Sequence, residues 1–242
     1  MTTELQSLNS RISRAVTSYW KTRQSQSLKQ SSSGQRDQGA RSAVTGGAQM
    51  DGFIHLITEL IQEAGIHDKH IFHNTALELP GFFRPTKEWD LLVVRDAQLI
   101  LALESKSQVG PSFGNNFNNR TEEAMGSALD LWTAYREGAF NKTIRPWLGY
   151  VFLLEDCDAS RRSVKVKEPH FKVFPEFVNA SYSKRYELFC RKLVRERHYN
   201  SSAFLLSEPK TGLEGAFTEA AEDLALLQFA KSLAAHVAAY RD

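Results

Sequence analysis

Cysteine is scarce in this chain. Cys157 and Cys190 are the only two among 242 residues, and nothing in their spacing reads as a disulfide framework or a zinc-binding motif. No apolar run approaches the roughly 20 residues that a membrane-spanning helix needs. The first ten residues, MTTELQSLNS, lack the basic-then-apolar order of a secretory leader, so a cytoplasmic protein with no membrane partner is expected. The chain shows no internal repeat. It also lacks a strong charge of either sign. A formal net charge of +2 does not by itself demonstrate nucleic-acid binding, nor does it exclude it, because a basic surface depends on where charge sits more than on its sum. What remains is an ordinary globular composition, 42% hydrophobic and 24% charged.

The most informative stretch is Trp89–Ser107, WDLLVVRDAQLILALESKS. Leu91–Val94 and Leu99–Leu103 are short apolar runs joined by four polar or small residues, a pattern that predicts a β-hairpin folding back near Asp96 and Ala97. That register places Asp90 opposite Leu103 or Glu104. Directly opposed residues of an antiparallel pair have Cβ atoms about 4.5–5.5 Å apart. Side chains two apart share a face of a strand, so Lys106 joins Glu104. Two carboxylates this close repel unless positive charge lies between them. A hard divalent cation such as Mg²⁺, which takes oxygen ligands, fits Asp90, Glu104 and the Ser105 carbonyl. Lys106 is then placed to orient a nucleophilic water or stabilise charge on a phosphate. On spacing alone, a strand ending in solvated charges accounts for the pattern equally well.

Flanking segments supply candidate DNA contacts. Arg84 and Lys87 lie in a loop leading straight into Asp90, suited to phosphates; a plain connection with solvated charges is the alternative. Gln108–Asn119 reads as a loop carrying Asn115, Asn116, Asn118 and Asn119, followed by Arg120 at a loop–helix junction. Asn pairs with adenine and Arg with guanine in the major groove, although Asn and Gly also populate loops for purely conformational reasons. Arg161, Arg162, Lys165, Lys167 and Lys172 make 158–172 a basic loop, equally readable as phosphate-contacting or merely solvated.

Asp90…Glu104-Ser105-Lys106 resembles the PD-(D/E)xK nuclease motif, with Trp89 where the motif's name places Pro. The block ESKSQVGPSFGNNFNNRTEEAMG (104–126) is similar to that of the XhoI-type restriction endonucleases. So are GAQMDGF (47–53), LPGFFRPTKEWD (79–90), VFLLEDC (151–157) and PHFKVFPEF (169–177). This resemblance implies a Mg²⁺-dependent, homodimeric type II restriction endonuclease acting on double-stranded DNA at the palindrome CTCGAG in a restriction–modification system. It implies the α/β fold of that class, a mixed β-sheet flanked by helices, with Asp90, Glu104 and Lys106 catalytic and Asp90, Glu104 and Ser105 at the metal. Another nuclease, such as a repair or junction-resolving enzyme, and a non-catalytic DNA-binding protein are the competing expectations.

The remaining elements follow from periodicity. An amphipathic helix is expected over 4–20, then a flexible basic linker over 22–46, giving an appendage (1–46) before the main domain (47–242). Further helices are expected over 48–64, 120–138, 183–196 and 214–240, and strands over 147–154 and 203–206. Glu59, Glu63 and the histidines His67, His70 and His73 are read as surface groups.

Overall fold

The structure is a computed structural model describing residues 2–32, 48–141 and 144–241, with side chains of the first helix described over 6–28. In chain order it comprises helix α1 (Thr2–Ser32), α2 (Asp51–Glu63), strands β1 (Ile71–Phe72), β2 (Glu78–Pro80), β3 (Thr86–Glu88), β4 (Leu91–Arg95) and β5 (Gln98–Gln108). Then come α3 (Phe113–Arg136), β6 (Trp147–Glu155), α4 (Asp158–Arg161), α5 (Tyr182–Arg195), β7 (Ser201–Ser207), α6 (Pro209–Gly212), β8 (Thr218–Glu219) and α7 (Leu226–Val237). Six strands form one mixed sheet in the order β1-β4-β5-β6-β7-β8, while β2 and β3 pair separately. The β5/β6 and β6/β7 pairs are parallel, and the other pairs of the large sheet are antiparallel. β6 is buried along almost its whole length, as a central parallel strand covered on both faces must be.

Two apolar layers sandwich the sheet. On one face Leu91, Val93, Leu101 and Leu103 meet Ile12, Val16 and Tyr19 of α1, Phe53, Ile57 and Ile61 of α2, and Phe229 and Leu233 of α7. On the other face Leu92, Ala102, Tyr150 and Phe152 meet Ala124, Ala128 and Leu131 of α3 and Tyr186, Phe189 and Leu193 of α5. The period-2 alternation of β4 and β5 thereby serves two cores at once.

The β4–β5 turn falls on Asp96 and Ala97, both with left-handed backbone (φ 49° and 56°), the geometry of a two-residue primed turn. A bulge at Val93/Val94 shifts the pairing, and Leu91 then faces Leu103. The Asp90 amide donates to the Leu103 carbonyl at 3.1 Å. One step outward, Asp90 and Glu104 are neighbours on the α3/α5 face.

Three expectations are corrected. The first helix does not stop near residue 20 but runs to Ser32, so 22–32 is no linker; residues 33–46 lie outside the described part. As its apolar stripe predicts, α1 packs into the core through Leu8, Ile12, Val16, Tyr19 and Trp20. The asparagine-rich segment is not a loop: α3 begins at Phe113 and holds all four asparagines and Arg120 in its first turns. Phe113 and Phe117, one turn apart, pack on Tyr182, Tyr186 and Phe189, and that packing overrides the poor helix propensity of Asn. The stretch 214–240 is not one helix. Thr218–Glu219 pairs with Leu205 and Leu206 as the sheet edge, and α7 starts at Leu226, whose amide is capped by Glu219 at 2.8 Å.

Candidate active site

The hairpin delivers Asp90 and Glu104 to the open end of β4 and β5, and the strand period brings Lys106 to the same face. Lys106 Nζ lies 3.2 Å from Glu104 Oε1 and 3.5 Å from Asp90 Oδ2. Asp90 Oδ2 also accepts from the Ser105 amide at 2.6 Å and the Ser105 hydroxyl at 3.1 Å. Two carboxylates thus converge on one positive charge, a donor set of the kind that suits a hard divalent cation. Among the described residues no group of three or more His, Cys, Asp or Glu side chains gathers as a ligand set, so the cluster offers two carboxylates and no third.

Glu104 is buried, its side chain 3% exposed. Burying an ionised carboxylate costs several kcal/mol unless it is paired. Three groups offset that cost: Lys106, Lys87 at 3.3 Å from Oε1, and the Tyr199 hydroxyl, which donates toward Oε2 at 3.1 Å. Burial pushes the Glu104 carboxyl up, but the charges of Lys106 and Lys87 outweigh it and hold it below the usual carboxylate range. Burial likewise works against the Lys106 ammonium, and Glu104 and Asp90 hold it above its usual value. Burial lowers the Lys87 ammonium, and the facing Glu104 offsets only part of that.

The candidate contacts divide. Lys87 turns inward rather than to the surface: besides Glu104 its ammonium reaches the Glu88 carbonyl at 3.0 Å and lies 4.3 Å over the Trp89 ring. That corrects its reading as a loop cation directed at phosphates. Arg84 is half exposed, but its Nε is tied to Asp130 of α3 at 2.7 Å. Asp130 also accepts from the Phe82 and Phe83 amides at 2.7 and 2.8 Å, so one carboxylate clamps the β2–β3 turn to α3. Asn115, Asn118 and Asn119, at helical spacing, form an exposed stripe, while Asn116 and Arg120 are half-buried on the adjoining one. Arg120 pairs with Glu123 at 2.5 Å, and its charge is felt at Lys106, where it opposes the ammonium. The structure therefore gathers Asp90, Glu104, Lys106 and Lys87, sets Arg120 nearby, and leaves the asparagine stripe on the outer face of α3. Glu63 and Glu59 lie with Arg11 of α1, in the layer on the opposite face of the sheet.

Tyr199 was not foreseen from the sequence. It lies 95 residues from Glu104, with no motif around it, and only the closing of the sheet brings it there. Gln108 is a second such residue. It continues the Glu104–Lys106 face, accepts from the Tyr186 hydroxyl, and is buried. The strand period carries it, since it follows Lys106 by two.

Comparison with known proteins gives a consistent result. Residues 29–219 match the family model described as restriction endonuclease XhoI. The chain is 55% identical over 208 residues to the type II restriction enzyme BstVI of Geobacillus stearothermophilus, covering 84% of this chain and 93% of that one. It is 51% identical to the type II restriction enzyme XhoI of Xanthomonas vasicola, covering 64% of each. It is 49% identical to the type II restriction enzyme AbrI of Azospirillum brasilense, covering 71% of this chain and 78% of that one. No solved structure matches it.

Proposed function

The chain belongs to the XhoI restriction endonuclease family, and from that premise we propose that it cuts double-stranded DNA at CTCGAG by magnesium-dependent phosphodiester hydrolysis. It is a type II restriction enzyme, a site-specific deoxyribonuclease; the particular sequence, the metal and the roles of individual residues are the proposal. The observation that carries it is the sharing of Lys106 Nζ by Asp90 Oδ2 and Glu104 Oε1 on one face of the sheet.

Asp90, Glu104 and the Ser105 carbonyl are the groups to hold Mg²⁺. Bound there, the ion supplies Lewis-acid charge to the scissile phosphate. Asp90 is the more exposed of the two carboxylates, 34% against 3%, and so the one through which solvent and a phosphate reach the site. Tyr199 and Lys87 fix the Glu104 carboxylate from behind. Lys106, held as an ammonium, donates hydrogen bonds to an attacking water or a phosphate oxygen and stabilises the negative charge that develops. Asn115, Asn116, Asn118, Asn119 and Arg120 present amide and guanidinium groups suited to base edges and phosphates. Arg84, tied to Asp130, is a rim contact at most half available to a phosphate. A palindromic site pairs with a two-fold homodimer, one active site per strand. The cytoplasm is the compartment in which a restriction–modification system acts. No helix among the described residues is long and apolar enough to cross a membrane.

A plasmid digest with Mg²⁺ or with a chelator, followed by sequencing of the ends, tests this reading. Cuts confined to CTCGAG and dependent on the metal are expected. Metal-independent cutting removes the metal role, and a different cut sequence removes the assigned specificity.

A further inference from the structure

The segment 162–181, between α4 and α5, is held firmly at its base yet exposes its largest apolar side chains. Arg185 of α5 ties both feet, donating to the Val164 carbonyl at 3.1 Å and the Ala180 carbonyl at 3.2 Å. Inside the loop, Glu168 accepts from the Val173 amide at 2.9 Å and pairs with Lys172 at 3.0 Å. A short helical turn, Pro175–Phe177, closes it. On this braced frame Phe171 is 87% exposed and Phe174 75% exposed. Val164 and Val166 are half-buried while Lys165 and Lys167 between and beyond them are exposed, so the alternation points those two cations outward.

Two large apolar side chains left exposed on a hydrogen-bonded loop suit a contact surface, and the setting points to the partner. The loop leaves from the end of β6, whose Leu154 pairs with Gln108, two residues beyond Lys106. At its root, Arg162 shares a cleft of about 280 Å³ with Asn115 at the start of α3 and Tyr182 at the start of α5. The loop is therefore continuous with the face carrying the asparagine stripe. Outward lysines flanking exposed aromatic rings suit a polyanion with stacked faces: cations for phosphates, rings for bases or sugars, as apolar side chains do when they wedge against base steps.

We propose that the 162–178 loop is a second DNA-contacting element, in which Phe171 and Phe174 press against bases or sugars of the duplex while Lys165 and Lys167 neutralise its phosphates. This rests on the reading of the chain as a nuclease acting on duplex DNA and adds a surface separate from the Asp90, Glu104 and Lys106 cluster and from the asparagine stripe of α3.

The test uses the full chain and a CTCGAG duplex in chelator, so that binding is measured without cutting. The double variant Phe171→Ala, Phe174→Ala is expected to lose at least about tenfold in duplex affinity, with melting midpoint and elution volume like the parent's. Parent-like affinity overturns the proposal. So does a loss of affinity accompanied by a shift from dimer to monomer, which assigns the rings to contact between two copies of the chain. Should that variant not fold, Phe171→Trp replaces it: its emission changes on adding duplex, and unchanged emission overturns the proposal. Lys165→Gln with Lys167→Gln is expected to lower the slope of log affinity against log salt by about 2, and an unaltered slope removes the phosphate contacts. Cutting by the parent at another sequence overturns only the assigned site, and the same comparisons are then run on that sequence.

Discussion

Lys87 Nζ stands 3.3 Å from Glu104 Oε1 with only 12% of its side chain exposed, so two ammonium groups rather than one face the buried carboxylate. The quartet Asp90, Glu104, Lys87 and Lys106 balances two negative charges against two positive ones. Replacing Lys87 by Met leaves Glu104 with Lys106 and Tyr199, at an expected stability cost of about 1–3 kcal/mol by denaturant titration. Cleavage falls because Glu104 is no longer held on that side. Duplex affinity in chelator stays within about twofold of the parent's, since the ammonium points inward; a loss of about tenfold or more returns Lys87 to the class of phosphate contacts.

Tyr199 is the second support. Its hydroxyl lies 3.1 Å from both Glu104 Oε2 and the Ala124 carbonyl, bridging the sheet to α3. Tyr199→Phe keeps the ring and removes the proton donor. The expected loss is about 1–2 kcal/mol of stability, with a slower single-turnover cleavage rate and unchanged duplex affinity. An unchanged rate means that Tyr199 packs the core without positioning Glu104.

Acid stability follows from the same cluster. Although burial raises the Glu104 carboxyl, the lysines hold it below its unfolded value. A group with a depressed folded pKa contributes stability that is complete above the unfolded pKa, about 4.3 for Glu, and is lost as pH falls through the folded value. Denaturant midpoints between pH 7 and pH 3 should therefore decline below about pH 4.5, and Glu104→Gln should flatten that decline while lowering the neutral-pH plateau. A decline of equal depth in both proteins places the acid sensitivity elsewhere.

How much of this was legible in the sequence varies residue by residue. Asp90, Glu104 and Lys106 were legible because a strand's period is two and the turn residues fix the register to within a step. The sandwich was legible because α1, α2 and α5 each carry an apolar stripe. The asparagine helix was not, since Asn and Gly read locally as loop, and what overrides them is Phe113 and Phe117 meeting Tyr182 and Tyr186 from a distant helix. The break at 218–225 was hidden by an Ala- and Leu-rich composition that favours helix; edge pairing of Thr218–Glu219 with β7 decided it. Tyr199 carried no signal at all.

Asp130 gives a prediction about the loop that leads into the site. Its carboxylate takes the Phe82 and Phe83 amides and Arg84 Nε at 2.7–2.8 Å, and a Cβ added at Gly81 would collide with it. Asp130→Asn keeps one acceptor oxygen but loses the charge facing Arg84, for an expected cost of about 1–3 kcal/mol. Because Lys87 follows on the returning strand β3, the loosened turn should also raise proteolytic cleavage within 81–85. Parent-like stability and protease resistance show that the β2–β3 pairing alone holds the turn.

The asparagine stripe makes the sharpest demand on the functional reading. Asn costs helix stability relative to better formers, and here Asn115, Asn118 and Asn119 lie exposed on α3, where packing gives them nothing in return. A polar group kept at a local cost on the exposed face of the helix that also carries Arg120 is explained if it reads bases. Asn118→Ala should then stabilise the free protein slightly, since Ala is the better helix former, and weaken binding to a CTCGAG duplex by about 1–3 kcal/mol while hardly changing binding to an unrelated duplex. Arg120→Gln separates the two kinds of contact: a guanidinium on a base edge loses the specific complex selectively, whereas one on a phosphate weakens both duplexes alike and reduces the salt slope by about 1. Equal losses for Asn118→Ala on both duplexes would take the stripe out of sequence recognition and leave its asparagines as ordinary solvated helix residues.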